Sequence, residues 1–100
     1  MNSYTRLLNF GTVKCSSKVN LIITGPHYTS KNEMYYEWSC DLIHPCASKI
    51  FGIDEIWCLY YTLNSIELFF KGMCEQNFHI WLNEFGDNAG FQYGKHKIEE

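Results

Sequence analysis

The sequence predicts an α+β fold: an antiparallel sheet of four to six strands with one long helix packed across it. Three observations carry that expectation. Apolar residues alternate with polar ones through much of residues 4–51, which is the two-residue period of half-buried strands. Residues 54–73 then repeat apolar positions at helical spacing behind a capping aspartate. A short alternating stretch returns at 78–82, after the helix. With 100 residues, 46% of them hydrophobic, the chain suits one domain over 1–100 and is too rich in core formers for disorder.

Each element has its own local reason. Residues 4–10 and 12–15 read as short strands separated by Gly11, with Ser16, Ser17 and Lys18 as a hairpin turn after them. Val19 to Thr24 alternates, placing Val19, Leu21 and Ile23 on one face, and Gly25-Pro26 should end that strand because proline cannot donate to a ladder. Residues 27–33 are polar and read as a loop. From Tyr35 to Ile43 the alternation puts Tyr36, Trp38, Cys40 and Leu42 inward and Tyr35, Glu37, Ser39 and Asp41 outward. Pro45 closes that run, and Lys49 to Phe51 can add a short further strand.

Asp54 is a good N-cap because its carboxylate can accept from the free N–H groups two or three residues on. Glu55 suits the positive end of the helix dipole, and Gly72 marks either the expected C-terminal stop or a position one turn before the true end. At 100° per residue, Ile56, Leu59, Tyr60, Leu63, Ile66 and Phe70 form one wide stripe, expected to be core. Trp57, Tyr61 and Leu68 cluster on the opposite side, with Asn64 beside them. A helix apolar nearly all round needs cover on more than one face, from the C-terminal segment, a twin subunit or a partner. Glu67 falls about 40° from the centre of the predicted core stripe, between Leu63 and Phe70; either it is buried and must be paired or protonated, or the helix rotates slightly and it reaches water at the edge. Residues 78–82 alternate and can add a last strand or pack across the helix. Gly86, Asp87, Asn88 and Gly90 are turn formers, Phe91 and Tyr93 anchor that turn to the body, and 95–100 read as a charged, frayed end.

Charge narrows the function. Eight Lys plus Arg against eleven Asp plus Glu leave a net charge of -3, the wrong sign for gripping nucleic acid through its phosphates. No apolar run is long enough to span a membrane, and the start of the chain is too polar for a secretory signal. The five cysteines, at 15, 40, 46, 58 and 74, are odd in number and read as reduced thiols of a cytoplasmic protein.

The search for chemistry finds little that is specific. Cys40, His44, Cys46, Cys74 and His79 are metal-type ligands, but they lack the close cysteine pair of a structural zinc site, so no metal is expected. A nucleophilic cysteine needs a base beside it, and spacing alone selects no Cys–His pair. Glu37 and Asp41, read as sharing a strand face, would stand about 13 Å apart, too far for a glycosidase pair. No phosphate-binding glycine loop is present. The expectation is a protein with no catalytic residues and no cofactor.

Seven Tyr, seven Phe and three Trp are the stronger signal. Trp57, Tyr61 and Leu68 resemble binding anchors, large and apolar with little rotamer entropy to lose. Tyr35, Glu37 and Asp41 would add an aromatic and acidic rim. Together these six form the expected partner site, suited to a basic protein such as a nuclease domain. Two other readings stand beside this one. A homodimer would use the same helix face, and a small thiol or metal enzyme would centre on Cys40, His44, Cys46 and His79.

The stretch Phe51-Gly52-Ile53-Asp54-Glu55-Ile56-Trp57-Cys58-Leu59, with Thr62-Leu63 and Ile66, resembles a small bacterial domain family of unassigned function. Trp38-x-Cys40, the strand ending at Pro26 and the late Gly90-Phe91 extend the resemblance over most of the chain. It implies a Gly-x-Asp step into the helix, where glycine fits the turn and aspartate caps, and it brings no catalytic residues. The family usually has a polar residue and alanine where this chain has Trp57 and Cys58, which enlarges the apolar surface there. By type rather than motif, the chain is also similar to immunity proteins of contact-dependent growth inhibition. That likeness implies a protein that neutralises a cognate toxin domain by occluding its active or substrate-binding surface.

Overall fold

The computed structural model describes residues 2–12, 14–85, 87 and 89. Its elements are β1 (Asn2–Gly11), β2 (Ser16–Tyr28), β3 (Met34–Cys40), β4 (His44–Gly52), α1 (Glu55–Glu75) and β5 (His79–Trp81). The strands form one sheet in the order β4-β3-β2-β1-β5, with antiparallel pairing at β3–β4, β2–β3 and β1–β5. The fold is α+β, as the patterning predicts. Contacts group the described residues into two compact units, one drawn from 1–6 and 20–65 and the other from 7–19 and 66–100.

In the first unit, Leu21, Tyr36, Trp38, Cys40, Cys58 and Thr62 are buried, so the alternation along β3 is read correctly through Cys40. Three hydrogen bonds fasten the first half of α1 to β3 and β4. The Tyr36 hydroxyl donates to Glu55 Oε1 at 2.8 Å, the Trp38 indole to Ser65 Oγ at 3.2 Å, and the Cys58 thiol to the Ile50 carbonyl at 3.0 Å. Burial raises the Tyr36 phenol well above its ordinary value, and the Glu55 carboxylate adds to the rise. The Asp54 cap is present, its Oδ1 accepting from Trp57 N–H at 2.9 Å.

Several local expectations are corrected here. Gly25-Pro26 does not end β2, which runs on to Tyr28; a register shift between Thr24 and His27 absorbs the missing proline donor. The connection to β3 is therefore shorter than a 27–33 loop: Thr29 Oγ1 accepts from Lys31 N–H and Glu33 N–H, closing a tight turn. Leu42 is 71% exposed at φ 69, because β3 stops at Cys40 and residues 41–43 make the hairpin turn. Asp41 thus lies in that turn and does not share a strand face with Glu37. Pro45 sits inside β4, where an edge position spares the ladder its absent donor.

The predicted core stripe of α1 is misplaced by roughly a quarter turn at 100° per residue. Ile56, Tyr60 and Leu63 are 80%, 60% and 46% exposed, while Cys58, Thr62, Ile66 and Phe70 are the buried positions. Gly52 explains the choice. A Cβ there would stand 2.7 Å from Cys58 Cα and N, so only glycine lets the helix bring that face down on β4. Glu67 is half-buried, at the edge of the buried stripe.

In the second unit, Leu8, Val19, Ile66, Phe70, Ile80, Trp81 and Ala89 are buried. The β1–β2 turn falls earlier than Ser16–Lys18, at Thr12 to Cys15, and Gly11 belongs to β1. Gly72 lies inside α1, in its last turn, the second of the two positions its spacing allows, and the chain turns where Asn77 adopts φ 68. There Asn77 N–H donates to the Cys74 carbonyl at 2.9 Å and Phe78 N–H to the Met73 carbonyl at 2.9 Å, a Schellman stop. The late strand is present as β5, pairing Asn9 with Trp81 and Gly11 with His79. The expectations for Gly86, Asn88, Gly90, Phe91, Tyr93 and 95–100 lie outside the described residues.

Candidate binding cleft

Three strand ends and one helix face converge in the first unit. The register sets Met34 opposite both Tyr28 and Gly52, so the end of β2, the start of β3 and the end of β4 lie side by side. The turn before β3 adds Asn32 and Glu33, the step into α1 adds Ile53, and the first turns of α1 add Trp57 and Tyr61. Together they line an open cleft of about 800 Å³.

Its walls are mostly apolar. Tyr28, Phe51, Ile53, Trp57 and Tyr61 are all among the exposed large hydrophobics, Ile53 the most so at 87%. A hydrophobic residue just before an N-cap commonly folds back onto the helix as a staple, and Ile53 does not. The Trp57 ring lies 5.7 Å from Tyr61 and 6.3 Å from Tyr60, a cluster that presents edges and faces to one side. Among the described lining residues Glu33 carries the one charge, with the Thr29 hydroxyl donating to its Oε1 at 3.4 Å. Because Asp54 holds the Trp57 N–H, the anchor sits on a capped, ordered turn.

The structure brings Trp57 and Tyr61 together and places the other expected site residues elsewhere. Tyr35 stands in a stack on the opposite face of the sheet from Tyr36, 5.0 Å from His27 and 5.1 Å from Phe51, with Lys49 Nζ 5.2 Å above its ring. Glu37 faces Thr24 and Lys49 across its strand and lines a smaller hollow of about 100 Å³ with Ile22, Ser39 and Ala47. Asp41 Oδ2 accepts from the Asn20 backbone at 3.2 Å and from its side chain at 2.9 Å, a structural clasp of the hairpin turn. Leu68 is 60% exposed and belongs to the second unit.

Sequence reasoning missed Tyr28, Asn32, Glu33, Met34, Phe51 and Ile53. A usable signal was present, since Phe51 and Ile53 flank a glycine just ahead of the cap, where a polar turn is the rule.

The residues of the thiol and metal reading are dispersed in role. Cys40 is buried, and burial followed by the neighbouring Asp41 charge pushes its thiol up to about 11. Cys58 is buried and raised as well, while Cys15 and Cys46 are exposed. His44 stacks on Trp38 at 4.1 Å and shares a 2.8 Å hydrogen bond with Ser48. Among the described residues no three His, Cys, Asp or Glu side chains gather to hold a metal, and no helix is long and apolar enough to cross a membrane. Compared with family models, with curated proteins and with solved structures, the chain finds no match.

Proposed function

We propose that this chain is a binding protein, of the immunity type, that neutralises a basic toxin domain non-enzymatically, by seating part of that domain's surface in the cleft. The observation that carries the reading is the cleft itself: Tyr28, Met34, Phe51, Ile53, Trp57 and Tyr61 around one carboxylate, Glu33. Large exposed apolar patches mark interaction sites, and clustered Trp and Tyr are the side chains that dominate binding energy. A Lys or Arg side chain suits this chemistry, its stem on the apolar wall and its head near Glu33 or over an aromatic face. The net charge of -3 favours approach of such a partner. A toxin that handles nucleic acid carries that kind of surface.

The test joins capture to function. Wild-type protein and the Trp57→Ala, Tyr61→Ala double variant serve as bait in native cells, and any stoichiometric partner is expressed alone and together with each. A basic partner that arrests growth alone, is silenced by wild type and binds the double variant at least about a hundredfold more weakly supports the reading. Wild-type affinity in the double variant overturns the site. A homodimer that the same substitutions dissociate assigns the cleft to self-association and overturns the function.

A further inference from the structure

The helix stop in the second unit assembles a group of side chains that the binding reading does not use. Because Asn77 turns the chain at φ 68 straight after α1, His79 at the start of β5 comes back against the last turn of the helix. Its Nδ1 lies 3.4 Å from Cys74 Sγ, and its Nε2 lies 3.4 Å from Asn77 Oδ1. The Phe85 ring packs edge-on against the imidazole at 5.0 Å. Cys74 and His79 are both half-buried.

This is the order of atoms that activates a thiol. A carbonyl oxygen accepts only, so a hydrogen bond to Asn77 Oδ1 requires the hydrogen on Nε2, and in that tautomer the Nδ1 lone pair faces sulfur.

We propose that Cys74, His79 and Asn77 form a nucleophilic thiol site that takes small hydroperoxides, with Cys74 as nucleophile, His79 as proton carrier and Asn77 as the positioning residue. The thiol proton passes to Nδ1, and the sulfur attacks the terminal peroxide oxygen. The S–O bond forms as the O–O bond breaks, and the leaving oxygen takes the proton back from Nδ1. For hydrogen peroxide, thiol plus peroxide becomes sulfenic acid plus water, with sulfur oxidised by two electrons and the peroxide reduced by two. Acyl transfer fits less well. The N–H groups of Asn77 and Phe78 are already given to the Cys74 and Met73 carbonyls, so they cannot hold an oxyanion.

Exposed Cys15 and Cys46 supply an internal reference, because accessibility alone would make them react before half-buried Cys74. The intact protein is treated with dilute hydrogen peroxide at neutral pH in the presence of dimedone, and each cysteine is followed by peptide mass spectrometry. Cys74 should be trapped at least about tenfold faster than either reference. His79→Ala should bring it down to their rate, with partial rescue by added imidazole. Asn77→Gly separates positioning from folding, since glycine keeps the helix stop and removes only the carbonyl that orients His79; it should slow trapping several-fold, and Asn77→Asp should restore it. Wild-type Cys74 trapped no faster than Cys15 and Cys46 overturns the proposal without recourse to any variant.

Discussion

Gly52→Ala is the substitution whose cost the structure determines most directly. The added Cβ would stand 2.7 Å from Cys58 Cα and N and 2.9 Å from Cys58 Cβ. That is about 0.7 Å inside ordinary contact, so β4 and the first turns of α1 must part. Cys58 is poorly placed to yield. It is fully buried, its N–H donates to the Asp54 carbonyl at 2.9 Å, and its thiol donates to the Ile50 carbonyl at 3.0 Å. Overpacking of this kind costs about 1–3 kcal/mol, and a weakened thiol hydrogen bond adds up to ~1 kcal/mol. The smaller entropy of alanine in the unfolded chain offsets about 0.4–1 kcal/mol. The net expectation is a loss of about 2 kcal/mol, or roughly 10 °C in midpoint for a chain of this size. Urea unfolding followed by far-ultraviolet circular dichroism measures it. Gly72→Ala is the matched control: it lies inside α1 with nothing within 4 Å of the added carbon, and should stabilise by about 0.5–1 kcal/mol. Gly52→Ala within 0.5 kcal/mol of wild type, on the order of the scatter expected at an indifferent surface site, would refute the close-approach argument.

Two further predictions concern single carboxylates. Asp54→Ala should cost about 1 kcal/mol and Asp54→Asn much less, because the amide oxygen still caps; a urea midpoint for each checks it, and equal losses would reject the cap. Asp87 accepts from the backbone N–H groups of Leu82, Asn83, Glu84 and Ala89 at 2.8–3.0 Å. Burial alone would raise its carboxyl, but the four donors, Asn83 and Leu82 foremost, bring it down to about 2 from an ordinary 3.8. A folded value below the unfolded one means that its stabilisation is complete above about pH 4 and is lost as pH falls through 2. Asp87→Asn should therefore flatten the fall of stability between those values, and an unchanged acid slope counts against the four-donor clasp.

Much of the fold was legible because local chemistry decides it. The period of two from Tyr36 to Cys40 buries those side chains in any sheet covered on one face, and Asp54 caps its helix without help from distant residues. The class of fold and the presence of β5 followed from the same patterning. Elements were misjudged where sequence punctuation met a tertiary remedy. Pro26 reads as a stop until a bulge accommodates it, and Pro45 until β4 proves to be an edge.

The candidate site divides along the same line. That Trp57 and Tyr61 share a helix face is a matter of four-residue spacing, and the sequence alone determined it. Which face of α1 would be buried was not determined, because apolar residues surround the helix and periodicity then has no single maximum. Gly52 decided it, by admitting Cys58 to the sheet and leaving Ile56, Tyr60 and Leu63 outside. The cleft depends on a register that sets Met34 beside Tyr28 and Gly52, and the Cys74–His79 pair depends on a turn at Asn77. The turn at Asn77 is local, closed by hydrogen bonds to Cys74 and Met73, and only its outcome waited on the structure. Strand register arises from contacts between residues far apart in the chain, so only the tertiary structure could bring the cleft's side chains together.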